Sequence, residues 1–445
     1  MRQRLNYTLM ESATQRLPGP GFNIPLPRKR LATLVLSFAI IIVLIGIQIG
    51  SSIYLSTQFI GFVFLMLYLL RAQLRFLSEL TSLLILALAS FLVAHIQFSN
   101  SAYGLEALLR SLREFTCFVV LIVVFMAARK RTLVVNIAPY AFYFASFGTL
   151  LLTAIQGYYL LGGLSFNPYI PDEFFAQETG TIHTDYVERA MLDGWEYIIR
   201  PSGFYAEPSY LGFMSLCSYW ALHERNSFLR NMCIFCVLML TCLLAKTGAG
   251  TILLALNFTV LNFSLLRRVR LGAVAYIVGA IIVFYLILPY LNRLINSGDS
   301  AVEASGYTRL VYPLDVMIHV WGVKPLGVPP LYLAALEDVD FTAVQFTALD
   351  NGFVNVFIYY GVLGFGIWVF LGYACGSFRA LLFLISCSLY NGSIFSYDKV
   401  LVISVALMCQ CRQHEKISTM ITHGNSNGFR GGMGARYIHL QFRRG

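Results

Sequence analysis

The stretch Arg200-Pro-Ser-Gly-Phe-Tyr-Ala-Glu207-Pro-Ser-Tyr-Leu-Gly212 closes a polar segment and opens a long apolar one. Charged side chains at the mouth of a membrane-spanning segment are costly to bury, so an arginine and a glutamate here indicate chemistry. The planar guanidinium of Arg200 suits phosphate oxygens, and a carboxylate such as Glu207 can act as a general base. The same stretch also fits a helix start, because an acid and a proline are favoured in a first turn. Both interpretations stay open.

A second arginine, Arg309, follows the compact run Ser305-Gly-Tyr-Thr. Paired hydrogen bonds from a guanidinium can hold a phosphate, each contributing about 1.5–3 kcal/mol. The alternative for Arg200 and for Arg309 is a loop arginine that pairs with a neighbouring acid. Lys246 is either a third phosphate contact or a lysine that snorkels at the end of a span.

Asp350-Asn351 stands at the predicted entrance to an apolar span. Asp350 is a candidate general base for deprotonating a sugar hydroxyl, a role for which Glu207 competes. The alternative is a helix N-cap, where Asp and Asn are both favoured. His319 and Trp321 are candidates for stacking on a sugar ring, although an interfacial aromatic belt also explains them.

The elements that position these residues are predicted from composition. The chain is 58% hydrophobic and 12% charged, with a mean hydropathy of +0.69, and apolar runs of about 18 or more residues recur along it. These features predict an all-α, polytopic membrane bundle of about 12 transmembrane helices. The predicted spans are 31–50, 53–70, 76–97, 114–128, 133–156, 205–222, 231–245, 249–266, 271–290, 351–372, 380–394 and 400–411.

Charge placement predicts the topology. With the N-terminus in the cytosol, 23 of the 32 Lys and Arg residues fall in cytosolic segments, as the positive-inside rule requires. The net charge of +10 therefore reflects topology and gives no indication of nucleic-acid binding. The predicted organisation is a cytosolic tail (1–30), a transmembrane domain (31–411) and a second cytosolic tail (412–445). Two long periplasmic loops, 158–204 and 291–350, hold 14 of the 22 acidic residues.

Cysteine usage predicts neither disulfides nor a metal. None of the nine cysteines lies in the two long loops, so no disulfide framework is implied. Cys409, Cys411 and His414 provide too few ligands for a structural metal site. No cofactor is predicted. The sequence also lacks the internal repeat that marks many transporters.

The order of these segments resembles the bacterial surface-polysaccharide polymerases and, more distantly, the O-antigen ligases. Residues 200–208 look like their Arg-x-x-Gly/Ala-x-x-x-Glu-Pro element. Gly306-Tyr-Thr-Arg309 resembles their second loop arginine, and Pro325-Leu-Gly327 resembles the Pro-x-Gly that follows it. Asp350-Asn-Gly352 stands where ligases and many polymerases carry His-Asn, and 391–396 matches a late outer turn. The combination is most similar to exopolysaccharide polymerases of the colanic acid and xanthan type, over roughly residues 195 to 400.

The resemblance implies a type-C membrane glycosyltransferase of the bacterial inner membrane, with inverting and metal-independent chemistry. The growing chain on undecaprenyl diphosphate would be the donor, and a lipid-linked repeat unit would be the acceptor. A flippase and a chain-length co-polymerase are candidate partners. The implied roles are diphosphate binding by Arg200, Arg309 and Lys246, proton acceptance by Asp350 or Glu207, and sugar contact by Asn351, Trp321 and His319.

Three other classes stay open. A non-catalytic assembly subunit would not require Arg200 or Arg309. A ligase-type transferase shares the same motifs and is poorly separated by sequence. A secondary transporter would also have about twelve helices, but it requires broken helices or ionisable groups near the middle of the bilayer. The sequence shows almost no charge at mid-span, which favours the transferase.

Overall fold

The described part of the chain is helical throughout. A computed structural model describes residues 57–71, 81–96, 104–130, 138–161, 201–205, 208–225, 227–266, 312–328, 351–390 and 392–410. These residues form twelve helices and no strand. In chain order the helices are α1 (Thr57–Arg71), α2 (Thr81–Ile96), α3 (Gly104–Lys130), α4 (Ala138–Leu161), α5 (Pro208–Leu222), α6 (Phe228–Leu244), α7 (Gly248–Leu266), α8 (Tyr312–Val323), α9 (Gly352–Tyr360), α10 (Leu363–Cys375), α11 (Phe378–Ser388) and α12 (397–410). The predicted all-α class is confirmed.

The helices pack in two groups. In the first group, α4, α5, α6 and α7 contact one another, with α7 against both α5 and α6. In the second group, α2 and α10 pack on α3, and α9 packs on α2, α8 and α10. Helix α11 contacts members of both groups, and α12 is buried from Lys399 to Cys409. The last two helices therefore fill the middle of the bundle.

Polar side chains connect helices inside the first group. Asn262 Nδ2 donates to Tyr219 Oη at 2.6 Å, and Asn231 Nδ2 donates to Asn262 Oδ1 at 2.9 Å. Trp220 Nε1 donates to Asn257 Oδ1, whose Nδ2 donates to Ser386 Oγ, both at 2.9 Å. Buried amides that satisfy each other in this way fix the register of neighbouring helices.

Several helices are apolar on their outer face as well as on their inner face. Along α4 the exposed side chains are large and apolar, at the spacing of one helical stripe: Tyr140, Phe144, Phe147, Leu151, Ile155 and Tyr158. The exposed side chains of α1 and of α10 also include several large apolar ones. A helix that is hydrophobic all round is typical of the interior of a large protein or of a membrane span.

Length and composition single out one of the described helices as able to cross a membrane, over Leu108–Arg129 within α3. Four shorter apolar helices accompany it, at Phe228–Leu244, Gly248–Phe263, Leu363–Cys375 and Phe378–Ser388. The predicted spans 31–50 and 271–290 lie outside the described residues.

The structure differs from the predicted spans at several places. The span predicted over 380–394 is too long, because α11 ends at Ser388. The single span predicted over 351–372 is wrong, because the backbone breaks between α9 and α10. The predicted loop 291–350 contains α8. Helix α3 starts ten residues before the predicted span 114–128, which places Arg110 and Arg113 on a helix.

The break between α9 and α10 is stabilised by residues 321–328. Gly361 has a φ of 55° and a ψ of −138°, a conformation that suits glycine. Pro325 O accepts a hydrogen bond from Val362 N at 3.0 Å, and Val328 N donates to Ile358 O at 3.2 Å. Trp321 Nε1 donates to Phe357 O at 2.9 Å. These bonds replace the helical ones that the interruption removes.

We expect Gly361→Ala to destabilise the protein by more than about 2 kcal/mol, because a Cβ would be placed in a strained backbone region. That Cβ would also lie 2.1 Å from Pro325 O. The matched control is Gly366→Ala in α10, where a Cβ meets nothing within 4 Å and alanine favours the helix. The thermal unfolding midpoint of each purified variant in detergent is the measurement. Equal midpoints for the two variants would contradict the role assigned to Gly361.

Candidate functional site

The described ends of two motif segments, 200–212 and 350–352, meet around the turn that joins α11 to α12. A Cβ added to Gly352 would lie 2.6 Å from Gly392 O and 2.9 Å from Ser388 O. A Cβ added to Gly212 would lie 3.0 Å from Tyr390 Cε1. Contacts this close require glycine on one side. The ends of the 200–212 and 350–352 segments are therefore packed against the start of the 391–396 turn.

The backbone that follows Arg200 is held by Gln156 of α4. Gln156 Oε1 accepts from Ser202 N at 3.1 Å and from Gly203 N at 2.8 Å, and its Nε2 donates to Gly203 O at 3.0 Å. All three residues are buried. Gly203 has a φ of 65°, and a Cβ there would lie 2.7 Å from Thr149 Cγ2. The Pro-Ser-Gly turn is thus fixed against α4.

A carboxylate, Glu114 of α3, lies buried at the break between α9 and α10. It is 2% exposed and accepts a hydrogen bond from Tyr360 Oη at the end of α9. The Ser393 hydroxyl lies in hydrogen-bonding range of the same carboxylate. Burial of a carboxylate is unfavourable unless it is hydrogen-bonded. Glu114 therefore ties α3, the end of α9 and the α11–α12 turn together.

A row of aromatic rings connects the start of α5 to Tyr390, which follows α11. The ring centroids of Tyr205 and Tyr210 are 5.6 Å apart, those of Tyr210 and Phe213 5.4 Å, and those of Phe213 and Tyr390 6.0 Å. Tyr210 also lies within electrostatic range of Asp398, at the start of α12. The adjacent Lys399 is buried, and its Nζ donates to Gly392 O at 3.2 Å.

The three residues predicted to contact sugar are all described, and two of them form hydrogen bonds with the backbone around α9. Asn351 caps α9, where its side chain accepts from Phe353 N and Val354 N at 3.1 Å. Trp321 is half-buried and bonded to Phe357 O. His319 is exposed on α8. The N-cap alternative for Asn351 is thus what the structure contains, and sugar contact by the three stays a prediction.

Lys246 lies in the tight turn between α6 and α7. It is exposed and has a φ of 51°. The neighbouring Thr247 packs against α5, because a Cβ added to Gly212 would lie 3.1 Å from Thr247 Oγ1. The turn that carries Lys246 therefore borders the first turns of α5, which follow Glu207 in the chain. Both interpretations of Lys246 are compatible with this position.

The other predicted site residues, Arg200, Glu207, Arg309 and Asp350, lie outside the described residues. Their immediate neighbours Pro201, Pro208 and Asn351 are described and buried or half-buried. In the described part of the chain no group of three or more His, Cys, Asp and Glu side chains is arranged to hold a metal ion.

Comparison with known proteins returns no match, either to a protein-family model or to a curated protein.

Sequence reasoning missed Gln156, Arg113 and Glu114. Gln156 is a single amide in an apolar helix and has no local signal. Arg110, Arg113, Glu114 and Cys117 recur at the spacing of one helix face, which could have identified them as a cluster. The topology argument uses Arg110 and Arg113 only as charges.

We expect Gln156→Leu to lower the free energy of unfolding by several kcal/mol, because each buried backbone group that loses its partner costs about 1–3 kcal/mol. Gln156→Glu retains the acceptor for two N–H groups and should lose less. Thr153→Val is the control one turn earlier in α4, since Thr153 Oγ1 is buried with no hydrogen-bond partner among the described residues. Thermal unfolding in detergent measures all three. Equal thermal unfolding midpoints for Gln156→Leu and Thr153→Val would show that the hydrogen bonds from Gln156 do not stabilise the Pro-Ser-Gly turn.

Proposed function

We propose that this protein polymerises undecaprenyl-diphosphate-linked oligosaccharide repeat units into an exopolysaccharide at the periplasmic face of the bacterial inner membrane. The observation that carries the proposal is the packing of separate motif segments on one another. Gly212, Gly352 and the 391–396 turn meet at Tyr390 and Gly392, and Pro325-Leu-Gly327 packs on the break that ends α9. The described parts of these segments therefore lie along α9 and the turn that joins α11 to α12.

A location in the membrane is supported by the outer surfaces of the bundle. The exposed stripes of α1, α4 and α10 consist of large apolar side chains. Soluble monomers rarely expose contiguous apolar patches of more than a few hundred Å², whereas lipid favours such faces. We assign the helices to a polytopic transmembrane domain with both termini in the cytosol.

The proposed reaction is an inverting glycosyl transfer. A hydroxyl of the acceptor repeat attacks the anomeric carbon of the donor chain and forms the new C–O bond. The bond from that carbon to the phosphate oxygen breaks, and undecaprenyl diphosphate leaves with the electron pair. Asp350 or Glu207 takes the hydroxyl proton. Arg200 and Arg309, with Lys246 as a third cation, stabilise the charge on the leaving diphosphate, an effect that can reach about 3 kcal/mol per group.

Sugar recognition is assigned to the surface beside α8 and α9. The exposed His319 and the half-buried Trp321 lie on α8, which packs on α9. Aromatic rings provide flat apolar faces for sugar rings. Asn351 lies at the start of α9, where its side-chain oxygen caps the helix, and sugar contact by Asn351 stays part of the proposal.

Deletion of the gene tests the function directly. We expect cells without the protein to accumulate single repeat units on the lipid carrier, because transfer of chains stops while synthesis of the repeat continues. Mass analysis of the lipid-linked glycans is the measurement. Long chains that lack their final attachment would instead identify a ligase-type transferase, and an unchanged glycan profile would exclude both.

Substitution of the two loop arginines tests the mechanism. Arg200→Ala and Arg309→Ala should each reduce polymer formation at least about a hundredfold, the effect of losing roughly 3 kcal/mol of transition-state stabilisation. Arg→Lys should restore only part of it, because the guanidinium fork is lost. Polymer length is measured in strains with equal protein levels.

If Asp350→Asn retains turnover, proton acceptance passes to Glu207.

A secondary transporter is the second candidate, and one observation favours it. The helical run is broken at Gly361, and the ionisable Glu114 is buried beside the break. Transporters place such features at their substrate sites. Uptake or export by the purified protein in proteoliposomes, with no transfer of sugar between lipid carriers, would support this alternative.

A further inference from the structure

Arg113 of α3 is a cation that the proposed mechanism does not use. Its guanidinium carbon lies 5.9 Å from the centroid of the Tyr397 ring. Its Nε is buried and has no hydrogen-bond partner among the described residues. The adjacent carboxylate of Glu114 is engaged by Tyr360 and Ser393. Arg113 is thus partly desolvated. The ion pair formed within the described residues joins Arg230 to Glu224 and does not include Arg113.

An arginine in this state favours an oxyanion. The guanidinium stays charged at every accessible pH, so a buried N–H can be satisfied only by an acceptor. The Tyr397 ring lies 5.9 Å from the guanidinium carbon, and a guanidinium can donate hydrogen bonds in its plane while an aromatic ring lies near it. Paired bonds to a carboxylate or a phosphate are the geometry that the fork matches.

The neighbouring charges also favour an anion. Arg110 lies one turn before Arg113 on α3, and both act on Glu114 electrostatically. The buried Lys399 lies two residues after Tyr397, on α12. The carboxylates nearby are Glu114 and Asp398, and Asp398 is within electrostatic range of Cys117 on α3. Arg110 and Arg113 therefore lie beside Glu114, a carboxylate that is already bonded inside the fold.

The position of Arg113 connects it to the motif segments. The α11–α12 turn that packs against Gly352 also carries Ser393, which contacts the residue next to Arg113. Tyr397, beneath the guanidinium, begins α12 directly after this turn. An anion bound by Arg113 would thus lie at the edge of the same region.

We propose that Arg113 is a substrate-binding residue that takes an oxyanion of the lipid-linked glycan, at the place where α3 meets the start of α12. The inference rests on the proposed function. The oxyanion has two chemical sources, a phosphate of the lipid diphosphate or the carboxylate of an acidic sugar. Either would accept hydrogen bonds from the in-plane edge of the guanidinium, beside the Tyr397 ring.

Binding to the purified full-length protein in detergent tests the proposal. The probes are undecaprenyl diphosphate and glucuronate, and the readout is the ligand-dependent rise in the thermal unfolding midpoint. We expect Arg113→Ala to weaken binding of one probe at least tenfold, and Arg113→Lys, which keeps the charge and serves if the alanine variant does not fold, to weaken it less. Dependence of undecaprenyl diphosphate binding on Arg113 identifies the phosphate, and dependence of glucuronate binding identifies the sugar acid.

Arg230→Ala is the matched control, because it removes the same charge from a guanidinium bonded to Glu224 and Tyr143. It should leave both affinities unchanged. If folded Arg113 variants bind both probes as the unmodified protein does, or if the unmodified protein binds neither, the proposal is overturned. If the deletion strain accumulates single repeats while binding of both probes is independent of Arg113, the inference on Arg113 is refuted and the proposed function is retained. An unchanged glycan profile would refute the proposed function instead.

Discussion

The break in the helical backbone at Gly361 is the constraint on which the packing around the end of α9 depends. Backbone groups that lose their helical partners in apolar surroundings must find others within the protein. Phe357 O, Ile358 O and Val362 N find them in Trp321, Val328 and Pro325. The segment after α8 is thereby fixed to the end of α9, and Tyr360 is delivered to Glu114. The break thus exposes the backbone groups to which the segment after α8 binds.

Helices whose ends depend on local sequence were the ones that could be predicted. The spans 231–245 and 249–266 agree closely with Phe228–Leu244 and Gly248–Leu266, because the Lys-Thr-Gly turn between them is a strong local signal. The span over 351–372 failed because its interruption depends on hydrogen bonds from residues 321–328. Glycines at 361, 364 and 366 looked alike in the sequence, and only the first takes a positive φ.

In the candidate site too, contacts between residues close in sequence could be predicted, and contacts between distant residues could not. The Asn351 cap could be read from the sequence because a cap bonds within three residues of itself. The contacts of Gln156 and Glu114 reach across 46 and 246 positions. A single polar residue in an apolar helix does not indicate which distant backbone or hydroxyl will meet it. Such residues become interpretable only when the packing of α3 and α4 against the later segments is known.

The close approach of α5 and α7 limits how this bundle can change shape. A Cβ added to Gly212 would lie 2.9 Å from Gly250 Cα, so the two backbones touch with nothing between them. Interlocked helices of this kind slide or separate with difficulty, since any shift drives main chain into main chain. Any widening of the bundle must therefore occur at another seam, where side chains rather than backbones form the boundary. The α5–α7 pair is then the rigid unit of the first helix group.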